Sequence, residues 1–184
     1  MKNLSKPVKI AIIAAIAIIL LAIIVVIISV ANKKEVLEIY DAETGYKTTF
    51  KYPAKKGYKA EKVEEDTGTL QKVNFINEEK NVKFEIYYYE TSNTLYERNK
   101  SLRANNDNYK EYKFGNYDAY SYTAGGVLQA DILLKKDDND RNLVLYIYMD
   151  KYNNEQDANM NEIFNSEEVQ KMLNTVKFEQ VTVE

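Results

Sequence analysis

VLQADILLKKDDNDRNLVLYIYM, residues Val127–Met149, decides the fold. Leu128, Ala130, Ile132 and Leu134 alternate along one strand, and Leu143, Leu145, Ile147 and Met149 along the next, around a polar tip from Lys135 to Arg141. The other parity is apolar too, with Val127 and Leu133 on the first strand and Val144, Tyr146 and Tyr148 on the second. Strands apolar on both faces belong in the middle of a sheet, and such a sheet needs cover on both sides. The expected fold class is therefore α+β: an antiparallel β-sheet flanked by helices on both faces.

Outward from this pair, period-2 alternation continues in both directions, punctuated by turn residues. Val36–Tyr40 and Tyr46–Tyr52 read as an opening hairpin that Pro53 ends, and Ala54–Thr69 as a charged loop. Leu70–Ile76 and Val82–Glu90 follow, the latter with Val82, Phe84, Ile86 and Tyr88 on one face and Lys83, Glu85, Tyr87 and Tyr89 on the other. Thr94 and Glu97 have capping-box spacing, which predicts a helix to about Ala104. Tyr109–Phe114 and Tyr117–Thr123 flank a Gly115-Asn116 hairpin turn. Near the end, Val169, Met172, Leu173 and Val176 fall at i, i+3, i+4 and i+7 of a helix with Asn165 as expected N-cap. A helical turn is expected within Glu155–Phe164, and a short strand in Val176–Val183.

The other end of the chain is different in kind. Ile10 to Ala31 is an uncharged run of 22 residues, about 33 Å as a helix and long enough for a ~30 Å hydrocarbon core. Lys2, Lys6 and Lys9 precede it and only Lys33 and Lys34 follow closely, so the N-terminus is expected on the cytoplasmic side. Ser29-Val30-Ala31 mimics a signal-peptide cleavage site, but the run exceeds the ~7–15 residues of a secretory apolar core, which favours a retained anchor. The expected organisation is a cytoplasmic tail over 1–9, a transmembrane signal anchor over 10–31 with ends at Ile10 and Ala31, and one extracytoplasmic domain over 32–184. The location that follows is the cell membrane, single-pass, with membrane lipid as the partner of the N-terminal helix.

Composition narrows the chemistry. The chain of 184 residues has 16 Tyr but no His and no Cys. Serine–histidine triads, thiolate nucleophiles, disulfides, and imidazole or thiolate metal sites are all excluded. Ser92, Ser101, Ser121 and Ser166 stand in no nucleophile-elbow or S-x-x-K context, and the pairs Glu64-Glu65 and Glu167-Glu168 read as surface charge. Asp138, Asp140 and Asn142 have the opening of a calcium loop. Leu143 and Met149 stand where its glycine and bidentate glutamate belong, so a solvated hairpin tip is the better reading. No catalytic residue, metal or cofactor is expected. The whole-chain charge is −3, and because residues 1–31 hold three lysines and no acid, the remainder is at −6. A phosphate backbone is a poor partner for such a domain, so no nucleic acid is expected.

Tyr87, Tyr89, Tyr146 and Tyr148 are the candidate binding residues, since all four lie opposite the aliphatic faces of their strands. They form either an exposed aromatic patch for a protein partner or half-buried rings beneath a covering helix.

Three stretches carry a family resemblance: Phe50-Lys51-Tyr52-Pro53, Phe114-Gly115-Asn116-Tyr117-Asp118-Ala119, and Leu173-Asn174-Thr175-Val176-Lys177-Phe178. In these and in the order of its elements the chain resembles the PsbP-like superfamily, in particular its bacterial, non-photosynthetic, DcrB-like membrane-anchored members. The resemblance implies an antiparallel sheet between helical layers and a non-enzymatic role. The expected function is a membrane-anchored extracytoplasmic binding or accessory module of the bacterial cell envelope, with an envelope protein as partner. Two other readings remain open: a structural subunit of a secretion or conjugation machinery, and a carboxylate hydrolase acting on wall polymers.

Overall fold

A computed structural model describes residues 35–41, 44–63, 72–136 and 140–182. The described chain is mostly strand. β1 (Glu35–Asp41), β2 (Tyr46–Tyr52), a 3-10 turn at Ala54–Lys56, β3 (Tyr58–Val63), β4 (Lys72–Asn77) and β5 (Val82–Thr91) precede helix α1 (Asn93–Arg103). There follow β6 (Lys110–Phe114), β7 (Tyr117–Ala124), β8 (Val127–Lys136), β9 (Asn142–Lys151), α2 (Met160–Phe164), α3 (Glu167–Leu173) and β10 (Lys177–Gln180).

These strands make two antiparallel sheets. The larger has seven strands in the order β3-β4-β5-β9-β8-β7-β6, and the smaller has three in the order β1-β2-β10. β9 is the middle strand of the large sheet, which is why its residues are apolar on both sides. On one side, Phe84, Ile86, Tyr88, Leu145, Ile147, Leu128 and Ile132 share a core with Leu37, Ile39, Phe50 and Tyr52 of the small sheet. Tyr52 packs edge-on to Phe75 at 5.0 Å, and the Tyr88 hydroxyl donates to the carbonyl of Ile39 at 3.0 Å. Val169, Met172 and Leu173 of α3 complete this core.

The expectation of one sheet flanked by helices on both faces is corrected. What covers the aliphatic face is chiefly a second sheet, because the opening hairpin has its own period-2 apolar side and can pack sheet on sheet. The three α-helices among the described residues, of 11, 5 and 7 residues, each cover part of a face rather than forming a layer. Among the described residues no helix is long and apolar enough to cross a membrane. The run Ile10–Ala31, on which the anchor was read, lies outside the described residues.

Finer differences have local causes. β3 lies inside the expected charged loop, where its exposed Lys59, Ala60 and Glu61 hide the strand pattern at a sheet edge. α1 is capped by Ser92, whose Oγ accepts the Leu95 amide at 3.1 Å, two residues before the expected Thr94. Asn165 ends α2 instead of starting α3, and the Oγ of Ser166 takes the Val169 amide at 3.4 Å.

The three stretches that carry the family resemblance meet in space. The Lys51 amide donates to Thr175 Oγ1 at 2.7 Å, and the Phe178 amide to the Tyr117 hydroxyl at 3.1 Å. Gly115, at φ 59°, turns the β6–β7 hairpin beside the carbonyls of Asn174 and Val176.

Candidate tyrosine face

The second face of the large sheet carries the tyrosines. Antiparallel pairing sets Tyr87 opposite Tyr146, Glu85 opposite Tyr148 and Tyr89 opposite Val144, so β5 and β9 bring all four sequence-predicted tyrosines onto one surface. The Tyr87 and Tyr146 rings lie 5.0 Å apart, and Tyr89 meets Tyr146 at 6.2 Å in an edge arrangement. All four are half-buried.

The four divide according to what lies over them. Toward β7, the face is roofed by α1, whose buried residue Tyr96 packs with Tyr120, Tyr122 and Val144, while Tyr89, Tyr109 and Leu133 close the cluster. Tyr89 thus belongs to a small second core. Toward β4 the face carries Tyr87, Tyr148 and an ion network in which Lys72 and Lys83 reach the two oxygens of Glu85 at 2.6 and 2.7 Å. Burial works against ionisation of Glu85, but hydrogen bonds and charge from the two lysines hold its carboxyl below the usual range. That network fixes the rim of the patch in place.

Beneath α1 lies a residue that the alternation pattern does not single out. Asp131 on β8 is only 5% exposed, and its Oδ2 accepts the Tyr89 hydroxyl at 3.0 Å together with the Tyr120 hydroxyl. Its Oδ1 has no hydrogen-bond partner among the described residues. Burial pushes the Asp131 carboxyl above its usual range, against the tyrosine hydrogen bonds and the charge of Arg103, which lower it. Arg103, in the last turn of α1, places its guanidinium 4.8 Å from the Tyr122 ring centre. Burial first, then the Asp131 charge, pushes the Tyr89 and Tyr120 phenols up, so both remain protonated donors at physiological pH. The cluster locks β5, β7 and β8 together and anchors the roofed half of the face. One signal for it was present in the sequence: a single acid, Asp131, inside the apolar run of a central strand.

The remaining candidates take structural places. Ser92 and Ser166 are helix caps, and the buried Ser121 donates to the Tyr112 hydroxyl at 3.2 Å. Of the calcium-like stretch, Asp138 lies outside the described residues, Asp140 Oδ1 accepts the Asn93 amide at 2.9 Å, and Asn142 is buried. Glu64 and Glu65 also lie outside the described residues. Glu167 pairs with Lys171 one helical turn on, at 2.5 Å. Among the described residues no three Asp or Glu side chains converge as metal ligands.

Comparisons with protein-family models, with curated proteins and with solved structures find no match for this chain.

Proposed function

We propose that this protein is a non-enzymatic binding or accessory module of the bacterial cell envelope, held at the membrane by the N-terminal run and engaging a protein partner through the open half of its tyrosine face. The observation that carries the reading is the unequal cover of that face. α1 roofs Tyr89 and the Asp131 cluster, while Tyr87 and Tyr148 stand half-exposed beside an ordered Lys72–Glu85–Lys83 rim. Tyrosine suits such a surface because it combines large contact area with a polar tip and few rotors to immobilise. A partner gains most where the side chains are already positioned, and the Tyr87–Tyr146 contact positions them.

Location and kinship belong to the same proposal. The lysine asymmetry about Ile10–Ala31 supports an extracytoplasmic domain. The meeting of the three resemblance-bearing stretches around Thr175–Phe178 supports a PsbP-like relationship, and with it a non-catalytic role.

The test is Tyr87→Ser combined with Tyr148→Ser in the full chain. Crosslinking in intact cells followed by mass spectrometry is expected to recover a stoichiometric envelope protein with the wild type, and about tenfold less with the variant at unchanged melting temperature. Equal recovery from both sinks the proposal, as does unfolding caused by the substitutions.

A further inference from the structure

A groove at the β6 side of the large sheet holds a second set of residues with ligand chemistry. Two adjoining depressions, of about 450 and 730 Å3, share Asn108, Asn159 and Asn161 and lie between the approach to β6 and the segment carrying α2. Their size is that of small-molecule sites, roughly 300–1,000 Å3, but such sites are mostly apolar. This groove is polar and rich in amides, because Asn165 joins the other three, with Tyr109, Lys110 and Glu162 alongside.

The walls are fixed. Asn165 donates through Nδ2 to the Asn161 carbonyl at 2.8 Å and to Asn161 Oδ1 at 3.0 Å, while its Oδ1 accepts the Tyr112 hydroxyl and Lys110 Nζ, each at 3.0 Å. Asn159 Oδ1 accepts the Glu162 amide at 3.2 Å. The chain leading to Asn159 is pinned by the buried Asn81, whose Nδ2 donates to the carbonyls of Asn153 and Gln156 at 2.9 Å each. These bonds engage the carbonyl ends of Asn159 and Asn161. Their Nδ2 groups, and the whole Asn108 side chain, meet no hydrogen-bond partner among the described residues.

Charge decides against an ionic ligand. Lys110 and Glu162 line the groove with opposite signs, and Asp157 is paired with Lys151 at 3.1 Å, which leaves no concentration of one sign. What remains is three planar amides lining the same groove as a tyrosine ring held against Tyr120 at 6.0 Å. Planar amides match vicinal hydroxyls, which both donate and accept, and an aromatic ring matches the C–H face of a pyranose.

We propose that this groove binds a neutral oligosaccharide, laid along Asn108, Asn159 and Asn161 with Tyr109 against its apolar face. The groove meets the tyrosine face only through Tyr109 of the α1-roofed cluster and is not lined by Tyr87, Tyr146 or Tyr148, so it stands if the open half fails.

The experiment is an NMR titration of the isotope-labelled full-length chain in detergent micelles with cello-, chito-, manno- and galacto-oligosaccharides. At least one is expected to shift the side-chain amide signals of Asn108, Asn159 and Asn161 saturably. Asn159→Asp with Asn161→Asp keeps both carbonyl acceptors and removes the donors. It is expected to weaken binding about tenfold with an unchanged melting temperature. Asn108→Gly, which retains the left-handed backbone at φ 57°, is expected to weaken it as well. The proposal is overturned if no sugar moves these signals at roughly 10 mM, if either variant binds as the wild type does, or if poly(glycerol phosphate) is the only polymer bound.

Discussion

Asp131 is an acid almost wholly removed from water, held by two phenol hydroxyls and with one oxygen left over. Burial raises its pKa in the folded state above the ~3.9 of an unfolded chain, so the folded form binds the proton more tightly. The sign follows. The stabilising contribution of this group is complete below about pH 3.9 and is lost as pH rises through the folded-state value. Asp131→Asn removes that dependence, so urea denaturation across pH 4–8 is expected to show the wild type losing ground to the variant as pH rises. Tyr120 is 1% exposed and gives the carboxyl a hydrogen bond. Tyr120→Phe is expected to cost about 1–3 kcal/mol in the same denaturation assay and to raise the Asp131 pKa further, readable by carboxyl NMR. None of this was legible from alternation, which groups Asp131 with Gln129 and Leu133. Only register, with Tyr120 and Tyr146 directly opposite on the flanking strands, brings the hydroxyls and rings to it.

Elements were legible to different degrees, for physical reasons. Strands β5, β8 and β9 announce themselves because a period-2 apolar row is the condition for burying one face, and here several rows are complete. β3 does not, since an edge strand buries little and is charged to deter pairing. Caps shift by one or two residues because Ser, Thr and Asn all satisfy the same amides, and tertiary packing chooses among them. The covering layer was least legible of all. A two-sided strand demands cover, but a hairpin with one apolar side meets that demand as well as a helix does, and the opening hairpin took the larger share. Among the described residues, α1 is the helix that shields the second face. Its single buried residue, Tyr96, leaves it dependent on its ends. Ser92→Ala is expected to cost about 1 kcal/mol, with hydrogen exchange rising across Asn93–Arg103 and not across β9. Uniform exchange throughout the domain would show instead that α1 and the sheet open as one unit.

For the molecule as a whole, composition and topology agree on one division of labour. Without histidine or cysteine, the chain buries several tyrosines among its aliphatic core, and seven-strand pairing leaves Tyr87 and Tyr148 half-exposed on the second face. Tyr87, Tyr89, Tyr146 and Tyr148 could be assigned a common face from parity alone. That Tyr89 is roofed and tied to Asp131 while Tyr87 and Tyr148 stay half-exposed depends on where α1 comes to rest, which alternation does not encode. The central claim is that the open half of this face holds a protein in the envelope. Its most direct test places a photocrosslinking amino acid at Tyr148 in cells and, as control, at Lys177 on the exposed edge of the small sheet. One discrete protein adduct is expected from position 148 and none from 177, whereas an adduct equally frequent from both, or absent from 148, would show that this face holds no partner.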